Sequence, residues 1–205
     1  HLHNSGCPVP RFIDDRKGQW LQDVQGKKAC LIEFLPGISV SEPTPAQARA
    51  VGNALARMHL AVADYRDSKA NPLGEKSWKP LFDRCDRVAA DRLQAGLAAD
   101  IAVECDWLSA NWPQILPECP VHTDLFPDNV LFRGDQVGGL IDFYFACTDY
   151  RAYDLAVTHA AWSFAADGQN YRADIGRALL DGYCEVVQLT GDEKRAFPAL
   201  ARGAS

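Results

Sequence analysis

The stretch that decides the fold reads His122-Thr123-Asp124-Leu125-Phe126-Pro127-Asp128-Asn129, and Ile141-Asp142-Phe143 follows it further along the chain. Asp124 and Asn129 lie five positions apart, and Asn129 and Asp142 lie thirteen apart. The stretch therefore offers one carboxylate, one amide oxygen and a second carboxylate at fixed spacings. A carboxylate can orient a hydroxyl and take its proton, and an Asn oxygen with a second carboxylate can hold Mg²⁺ on a triphosphate.

Two short apolar segments separate the two parts of this motif. Val130–Phe132 and Gly138–Ile141 are strand-like, and the turn Arg133–Gln136 is predicted to join them as a hairpin. A lone His-x-Asp carries little information, and a lone Ile-Asp-Phe often marks a strand that runs into a turn. Because both occur here in order and at the required separation, we interpret them as one catalytic unit for phosphoryl transfer from ATP.

The composition describes a globular chain. Its 205 residues suit one ordinary domain or slightly more, and 47% hydrophobic with 23% charged residues argue against disorder. The net charge of −6 argues against a general affinity for nucleic acid or for an anionic membrane, because both need a basic surface. The chain has no run of 18 apolar residues, so no membrane span is predicted.

The cysteines and the chain start bear on the cellular compartment. The seven cysteines are odd in number and scattered, and no Cys-x-x-Cys occurs, so neither a zinc knuckle nor a redox pair is predicted. We expect reduced thiols in a cytoplasmic protein. No signal peptide is visible, and the only methionine is Met58, so we also expect a piece of a longer protein.

The coarse secondary structure is a strand pair, several helices, the catalytic hairpin and further helices. Strands are predicted over residues 19–24 and 29–35, the second of them buried. A helix should begin after Thr44, an N-cap followed by Pro45 and by Gln47 three positions on, and should run to about Tyr65. An irregular segment is predicted over residues 142–149. Further helices are predicted over residues 78–97, 99–112, 153–164, 171–189 and 192–202.

The motif and its surroundings resemble the small-molecule kinases of the protein-kinase-like superfamily, which includes aminoglycoside phosphotransferases and choline kinases. Within that group, residues 121–132, residues 140–147, Phe34–Gly37 and Asp154–Val157 are similar to the homoserine kinases of the non-GHMP type. The resemblance covers nearly the whole chain. It implies an α+β, protein-kinase-like fold that is mostly a helical C-terminal lobe with a catalytic β-hairpin.

The same resemblance implies a division of the chain and the roles of several residues. Residues 1–36 would be a remnant of the N-terminal β lobe with the hinge, and residues 37–205 would be the helical lobe, truncated at its C-terminus. The catalytic base would be Asp124, and the Mg²⁺ ligands would be Asn129 and Asp142. The hinge segment that meets the adenine of ATP would be Glu33, Phe34 and Leu35.

Supporting and substrate roles are implied for five more residues. His122 would pack under the catalytic loop, and Asp154 would anchor that loop from the following helix. Asp128, Tyr144 and Asp149 lie near the expected approach of the acceptor. Asp128 or Asp149 could pair with the ammonium of an amino alcohol, although a loop-capping role suits each of these two carboxylates equally well.

The resemblance implies a cytoplasmic kinase that uses ATP and Mg²⁺ and phosphorylates a hydroxyl of a small molecule. The leading acceptor is L-homoserine, which would become O-phospho-L-homoserine in threonine biosynthesis. Choline, methylthioribose and aminoglycosides remain alternatives, as does a non-catalytic kinase-fold fragment, and the oligomeric state is left open.

The chain departs from the family pattern in two respects. Thr123 stands where the aminoglycoside branch often has glycine, which argues against an aminoglycoside acceptor. No segment before the hinge resembles the nucleotide-covering loop or the strand lysine that pairs with a helix glutamate. We therefore expect the 205-residue chain itself to have little or no kinase activity.

Overall fold

The computed structural model describes residues 1–165, 168 and 170–205, which form an α+β arrangement. Its strands are β1 (Phe12–Ile13), β2 (Leu21–Val24), β3 (Lys27–Ile32), β4 (Glu118–Val121), β5 (Val130–Arg133), β6 (Gln136–Leu140) and β7 (Cys147–Tyr150). Its helices are α1 (Pro45–Ala61), α2 (Glu75–Asp83), α3 (Arg87–Leu93), α4 (Leu97–Asn111), α5 (Arg151–Ser163), α6 (Ala173–Cys184) and α7 (Gly191–Gly203). Among the described residues, none of the helices is both long and apolar enough to cross a membrane.

The N-terminal strands form a small antiparallel sheet in the order β1–β3–β2. The predicted β2–β3 hairpin is confirmed, but the prediction that β3 is buried is wrong. All residues of β3 are exposed, and Leu31 is 65% exposed. Burial of a sheet needs a second layer packed on its face, whereas the sheet neighbours of β3, strands β1 and β2, lie along its two edges.

Helix α1 begins at the predicted capping box and forms one wall of the main core. The Oγ1 atom of Thr44 accepts a hydrogen bond from the backbone N–H of Gln47 (3.2 Å), and the Gln47 side chain accepts one from the backbone N–H of Thr44 (3.0 Å). The helix ends at Ala61, four residues before the predicted end at Tyr65. Its apolar face, which includes Ala48, Val51 and Leu55, is buried, with Leu55 fully inaccessible.

Two glycines bring α1 against α6 at backbone distance. A Cβ atom at Gly52 would fall on the carbonyl oxygen of Leu179, and a Cβ atom at Gly182 would fall on the carbonyl oxygen of Arg49. Any larger side chain at either position would push the helices apart, so glycine is required at this crossing. The contact fixes α1 and α6 as one packed unit under the catalytic loop.

The middle of the chain departs from prediction in two places. The single helix predicted over residues 78–97 is two helices, α2 and α3, because the side chain of Asp86 accepts hydrogen bonds from Val88 N (3.0 Å) and Ala89 N (3.2 Å) and starts a new helix. The irregular segment predicted over residues 142–149 contains most of β7, which pairs antiparallel with β4. Pro120 in β4 and the polar residues in β7 interrupt the apolar alternation that identifies strands in a sequence. The pairing of these two strands was therefore not predicted.

The predicted catalytic hairpin is confirmed as β5–β6, in which Val130 lies opposite Leu140. A backbone bridge joins the hairpin to the segment that follows β3. Phe132 N donates to Ile38 O (2.8 Å) and Ile38 N donates to Phe132 O (3.1 Å). The bridge places residues 33–38 beside the hairpin, while the division of the chain into two lobes at residue 36 stays a prediction.

Candidate active site

The loop between β4 and β5 is anchored by a carboxylate from the first turn of α5. Asp154 is fully buried, and it accepts hydrogen bonds from the backbone N–H groups of His122 (2.8 Å) and Thr123 (2.7 Å). Its Oδ2 atom also lies 2.9 Å from Nε2 of His59. Burial by itself would raise the pKa of Asp154, but the contacts with His59 and the loop outweigh it and lower the pKa. Asp154 therefore stays ionised under the loop.

Thr123 adopts a backbone conformation that β-branched residues rarely adopt. Its φ angle is +60°, in the left-handed region. The residue is held there by the bond from its N–H to Asp154 and by its Oγ1 atom, which lies 2.8 Å from His122 O and 3.2 Å from Phe145 O. Backbone strain held by surrounding contacts is frequent at functional sites, and here it turns the chain immediately before Asp124.

His122 is a buried ring that links the loop to the strand end carrying Asp142. Its Nδ1 atom accepts from the backbone N–H of Asp124 (3.2 Å), so Nε2 carries the proton and donates to Ile141 O (3.0 Å). The ring also packs against Phe143 at a centroid distance of 4.5 Å. His122 thus contacts both the loop and the strand end, and the supporting role predicted for it stays a prediction.

Asn129 folds back onto Asp124. Its Nδ2 atom donates to the carbonyl oxygen of Asp124 (2.7 Å) and to Oδ2 of the Asp124 carboxylate (3.2 Å). An Asn side chain has its donors on the nitrogen and its lone pairs on the oxygen, so these bonds leave Oδ1 of Asn129 for a cation. The structure therefore brings the two loop residues of the motif into direct contact.

The pKa of Asp124 is raised. Burial is the largest cause, and the negative charges of Asp142 and Asp128 act in the same direction. The electrostatic interaction with the His122 ring and the hydrogen bond from Asn129 oppose the shift. A carboxylate with a raised pKa is a stronger base towards a hydroxyl proton.

The predicted Mg²⁺ ligand Asp142 supplies a carboxylate that, with the Asn129 amide oxygen, would suit that ion. Asp142 lies two residues after the end of β6 with φ +63°, and the neighbouring Ile141 N donates to the backbone oxygen of Asn129 (3.0 Å). Carboxylate and amide oxygens suit Mg²⁺, which takes one or two protein carboxylates and leaves its other positions to water and phosphate. Among the described residues no group of three or more His, Cys, Asp or Glu side chains could hold a metal.

The predicted hinge segment lies against the catalytic hairpin. Glu33 N donates to Arg11 O (2.9 Å), and the Phe34 side chain is 88% exposed. Leu35 packs over Gly139 of β6 so closely that a Cβ atom there would lie 2.9 Å from Leu35 Cδ1. Leu35 therefore contacts the hairpin that connects Asn129 to Asp142, and the adenine-binding role of residues 33–35 stays a prediction.

A cleft of about 260 Å³ opens beside Asp124. Asp128 and Tyr144, predicted near the acceptor, are not among the residues that line it, and Tyr144 is 79% exposed. Asp149 is not a lining residue either, but it accepts a hydrogen bond from Nδ2 of the lining residue Asn71 (2.7 Å). The substrate roles of all three stay predictions. Lining residues include Asn71, Thr123, Asp124, Phe126, Phe145 and Tyr153.

Sequence reasoning missed two residues of this region. Asn71 followed by proline has the composition of an ordinary turn, and nothing in the local sequence connects it to Asp124. His59 is a core residue, 2% exposed, that also contacts Asp154. Its position on the buried face of α1 was the available signal.

Comparison with known proteins gives consistent matches. The family described as the phosphotransferase enzyme family matches residues 1–189. Homoserine kinase from Xanthobacter autotrophicus is 47% identical over 205 residues, which are 100% of this chain and 63% of that protein. Homoserine kinase from Zymomonas mobilis is 41% identical over 205 residues, which are 100% of this chain and 64% of that protein. The chain therefore spans less than two thirds of the length of these curated relatives.

Two solved structures show the fold. Amicoumacin kinase in complex with AMP-PNP and Ca²⁺ has a TM-score of 0.75 at 16% identity, and the match covers 98% of this chain and 63% of that chain. A microcompartment-associated aminopropanol kinase has a TM-score of 0.74 at 17% identity, and the match covers 97% of this chain and 66% of that chain. The predicted protein-kinase-like α+β fold is confirmed. With the loop of Asp124 and Asn129 in place, and with the family match over residues 1–189, the chain belongs to the phosphotransferase enzyme family.

Proposed function

We propose that the protein is a kinase that uses ATP and Mg²⁺ to phosphorylate the hydroxyl of L-homoserine. The observation that carries the proposal is the grouping of Asp124, Asn129 and Asp142 around one loop, in a chain 47% identical to a protein named homoserine kinase. Because the chain spans about 63% of that relative, the activity proposed is that of the full-length gene product.

Each group at the site has a defined task in this reaction. Asp124 accepts the proton of the acceptor hydroxyl while the hydroxyl oxygen bonds to the γ-phosphorus and the bond to the β–γ bridging oxygen breaks, releasing ADP. Asn129 Oδ1 and the Asp142 carboxylate would hold Mg²⁺, which neutralises charge on the triphosphate when bound. Residues Glu33–Leu35 would meet the adenine through their backbone groups.

The size of the cleft favours a small acceptor. Its volume of about 260 Å³ is below the roughly 300–1,000 Å³ of pockets that hold drug-sized ligands. An amino acid fits this scale better than an aminoglycoside does. The net charge of −6 likewise favours a small-molecule substrate over nucleic acid or a membrane surface as the partner. We place the reaction in the cytoplasm, as a step of threonine biosynthesis.

The test is an ADP-release assay on the full-length gene product with ATP and Mg²⁺. The acceptors are L-homoserine, choline, methylthioribose, an aminoglycoside and 3-aminopropan-1-ol, and the phosphorylated product is identified by mass. We expect the highest kcat/KM for L-homoserine. A higher value for any competitor would replace homoserine as the substrate. If no acceptor is phosphorylated, nucleotide binding measured with and without Mg²⁺ distinguishes a non-catalytic nucleotide-binding protein from one that does not bind nucleotide.

A further inference from the structure

Asn71, Pro72 and Leu73 line the cleft, and the two residues before them, Lys69 and Ala70, are fixed to β7. Lys69 N donates to Thr148 Oγ1 (3.1 Å), and Thr148 N donates to Lys69 O (2.7 Å). Ala70 forms an isolated parallel β-bridge with Thr148, so the segment runs beside β7 at this point. Lys69 Nζ donates to Ala146 O (3.0 Å), which directs this ammonium to the backbone. The segment lies outside regular secondary structure, yet its backbone position is fixed.

Both polar atoms of the Asn71 side-chain amide form hydrogen bonds within the protein. Its Nδ2 atom donates to Asp149 Oδ2 (2.7 Å), and its Oδ1 atom accepts from Leu73 N (2.9 Å). The other Asp149 oxygen accepts from Tyr150 N (2.7 Å), so the carboxylate is held as well. An Asn amide has two donors and two lone pairs, which leaves Asn71 one N–H and one lone pair for a molecule in the cleft.

The electrostatic character of the cleft suits a cation. Asp124 and Asn71 line the same cleft, and Asp149 adds a negative charge directly behind Asn71. None of the described lining residues is Lys, Arg or His. Aromatic side chains at Phe126 and Phe145 supply further surface that attracts an ammonium.

We infer that Asn71, held by Asp149, is a specificity-determining residue that binds the ammonium of the acceptor. The Oδ1 atom of Asn71 accepts a hydrogen bond from the ammonium, and Asp149 supplies the charge that favours a cation there. The hydroxyl, a short carbon chain away, is then directed to Asp124. This inference rests on the proposed function, because it concerns the acceptor of the same reaction.

The test compares two acceptors, one with the ammonium and one that lacks it but is otherwise the same. The kcat/KM values for L-homoserine and for 4-hydroxybutyrate are measured for the full-length wild type and for Asn71→Leu, which keeps the size and removes the polar atoms. We expect Asn71→Leu to lose about 10- to 100-fold for L-homoserine, the range for a hydrogen bond to a charged group, and less than about 3-fold for 4-hydroxybutyrate. Equal losses for both acceptors would overturn the inference and assign Asn71 a structural role.

Two further variants and a binding measurement complete the design. Asn111→Leu makes the same change at an exposed asparagine of α4 and should leave both kcat/KM values unchanged. Asp149→Asn removes the charge and keeps the shape, so it should lower the preference for L-homoserine even if Asn71→Leu fails to fold. If the wild type does not phosphorylate L-homoserine, the proposed function fails. Calorimetric binding of 3-aminopropan-1-ol then tests Asn71 separately, and affinity that is absent, or equal in wild type and Asn71→Leu, overturns the inference.

Discussion

His59 Nε2 on α1 lies 2.9 Å from Asp154 Oδ2 on α5, and both side chains are buried. The other ring nitrogen of His59 lies 2.9 Å from the hydroxyl of Tyr183 on α6. A continuous row of contacts therefore runs from α6 through α1 and α5 to the backbone of the catalytic loop. The row joins three helices to the residue that precedes Asp124.

Removal of His59 should destabilise the protein strongly. His59→Ala leaves the buried Asp154 carboxylate without its side-chain partner, a change that costs about 3–5 kcal/mol in buried pairs. Tyr183→Phe removes only the hydroxyl at the far end of the row and should cost about 1 kcal/mol. Denaturant unfolding of both variants measures the two free energies. Equal costs would mean that the contact with Asp154 contributes nothing beyond packing.

In the full-length gene product, replacement of the predicted base should lower turnover by orders of magnitude while nucleotide affinity is retained. Asp124→Asn keeps the shape but cannot accept the hydroxyl proton, so kcat should fall about 10²- to 10⁴-fold. The matched control is Asp135→Asn, the same change in the exposed turn of the catalytic hairpin, which should keep wild-type kcat. Both variants are assayed by ADP release, with the ATP Kd measured by calorimetry. Near-normal turnover in Asp124→Asn would remove Asp124 from the role of base.

The pH profile should report the raised pKa of Asp124. Only the ionised carboxylate can accept the hydroxyl proton, so kcat/KM falls as the pH drops through this pKa. Because the pKa is raised from its ordinary value of 3.8, the acid limb should lie above the range of an exposed aspartate. Asp128→Asn removes one of the negative charges that raise the pKa, so the limb should move to lower pH. A limb that stays in place would show that another group titrates.

The close crossing of α1 and α6 should not tolerate a methyl group. Gly182→Ala places a Cβ atom on the carbonyl oxygen of Arg49, and overpacking of this kind costs about 1–3 kcal/mol. Gly191→Ala at the start of α7 is the control, since a Cβ there meets only the far end of the Arg195 side chain at 3.4 Å. Thermal unfolding should show a lowered Tm for Gly182→Ala alone. A Tm equal to that of the wild type would contradict the packing described for α1 and α6.

The sequence predicts the parts of the fold that depend on local chemistry. The capping box at Thr44 and the turn between β5 and β6 are set by neighbouring residues, and both are confirmed. The pairing of β4 with β7 and the wall formed by Asn71 depend on residues far apart in the chain, which have no local signature. The exposure of β3 could not be predicted either, because an apolar strand indicates a buried face but not what covers it.

The glycines at the α1–α6 crossing should affect activity although they lie outside the cleft. Gly182 is adjacent to Tyr183 on α6, and Gly52 lies two helical turns before His59 on α1. The spacing of the two helix axes therefore sets the distance between the Tyr183 hydroxyl and the His59 ring. A mutational screen for lost activity should therefore recover substitutions at residues 52 and 182. Such variants would carry an intact motif and an intact cleft lining, and their defect would lie in the alignment of the loop.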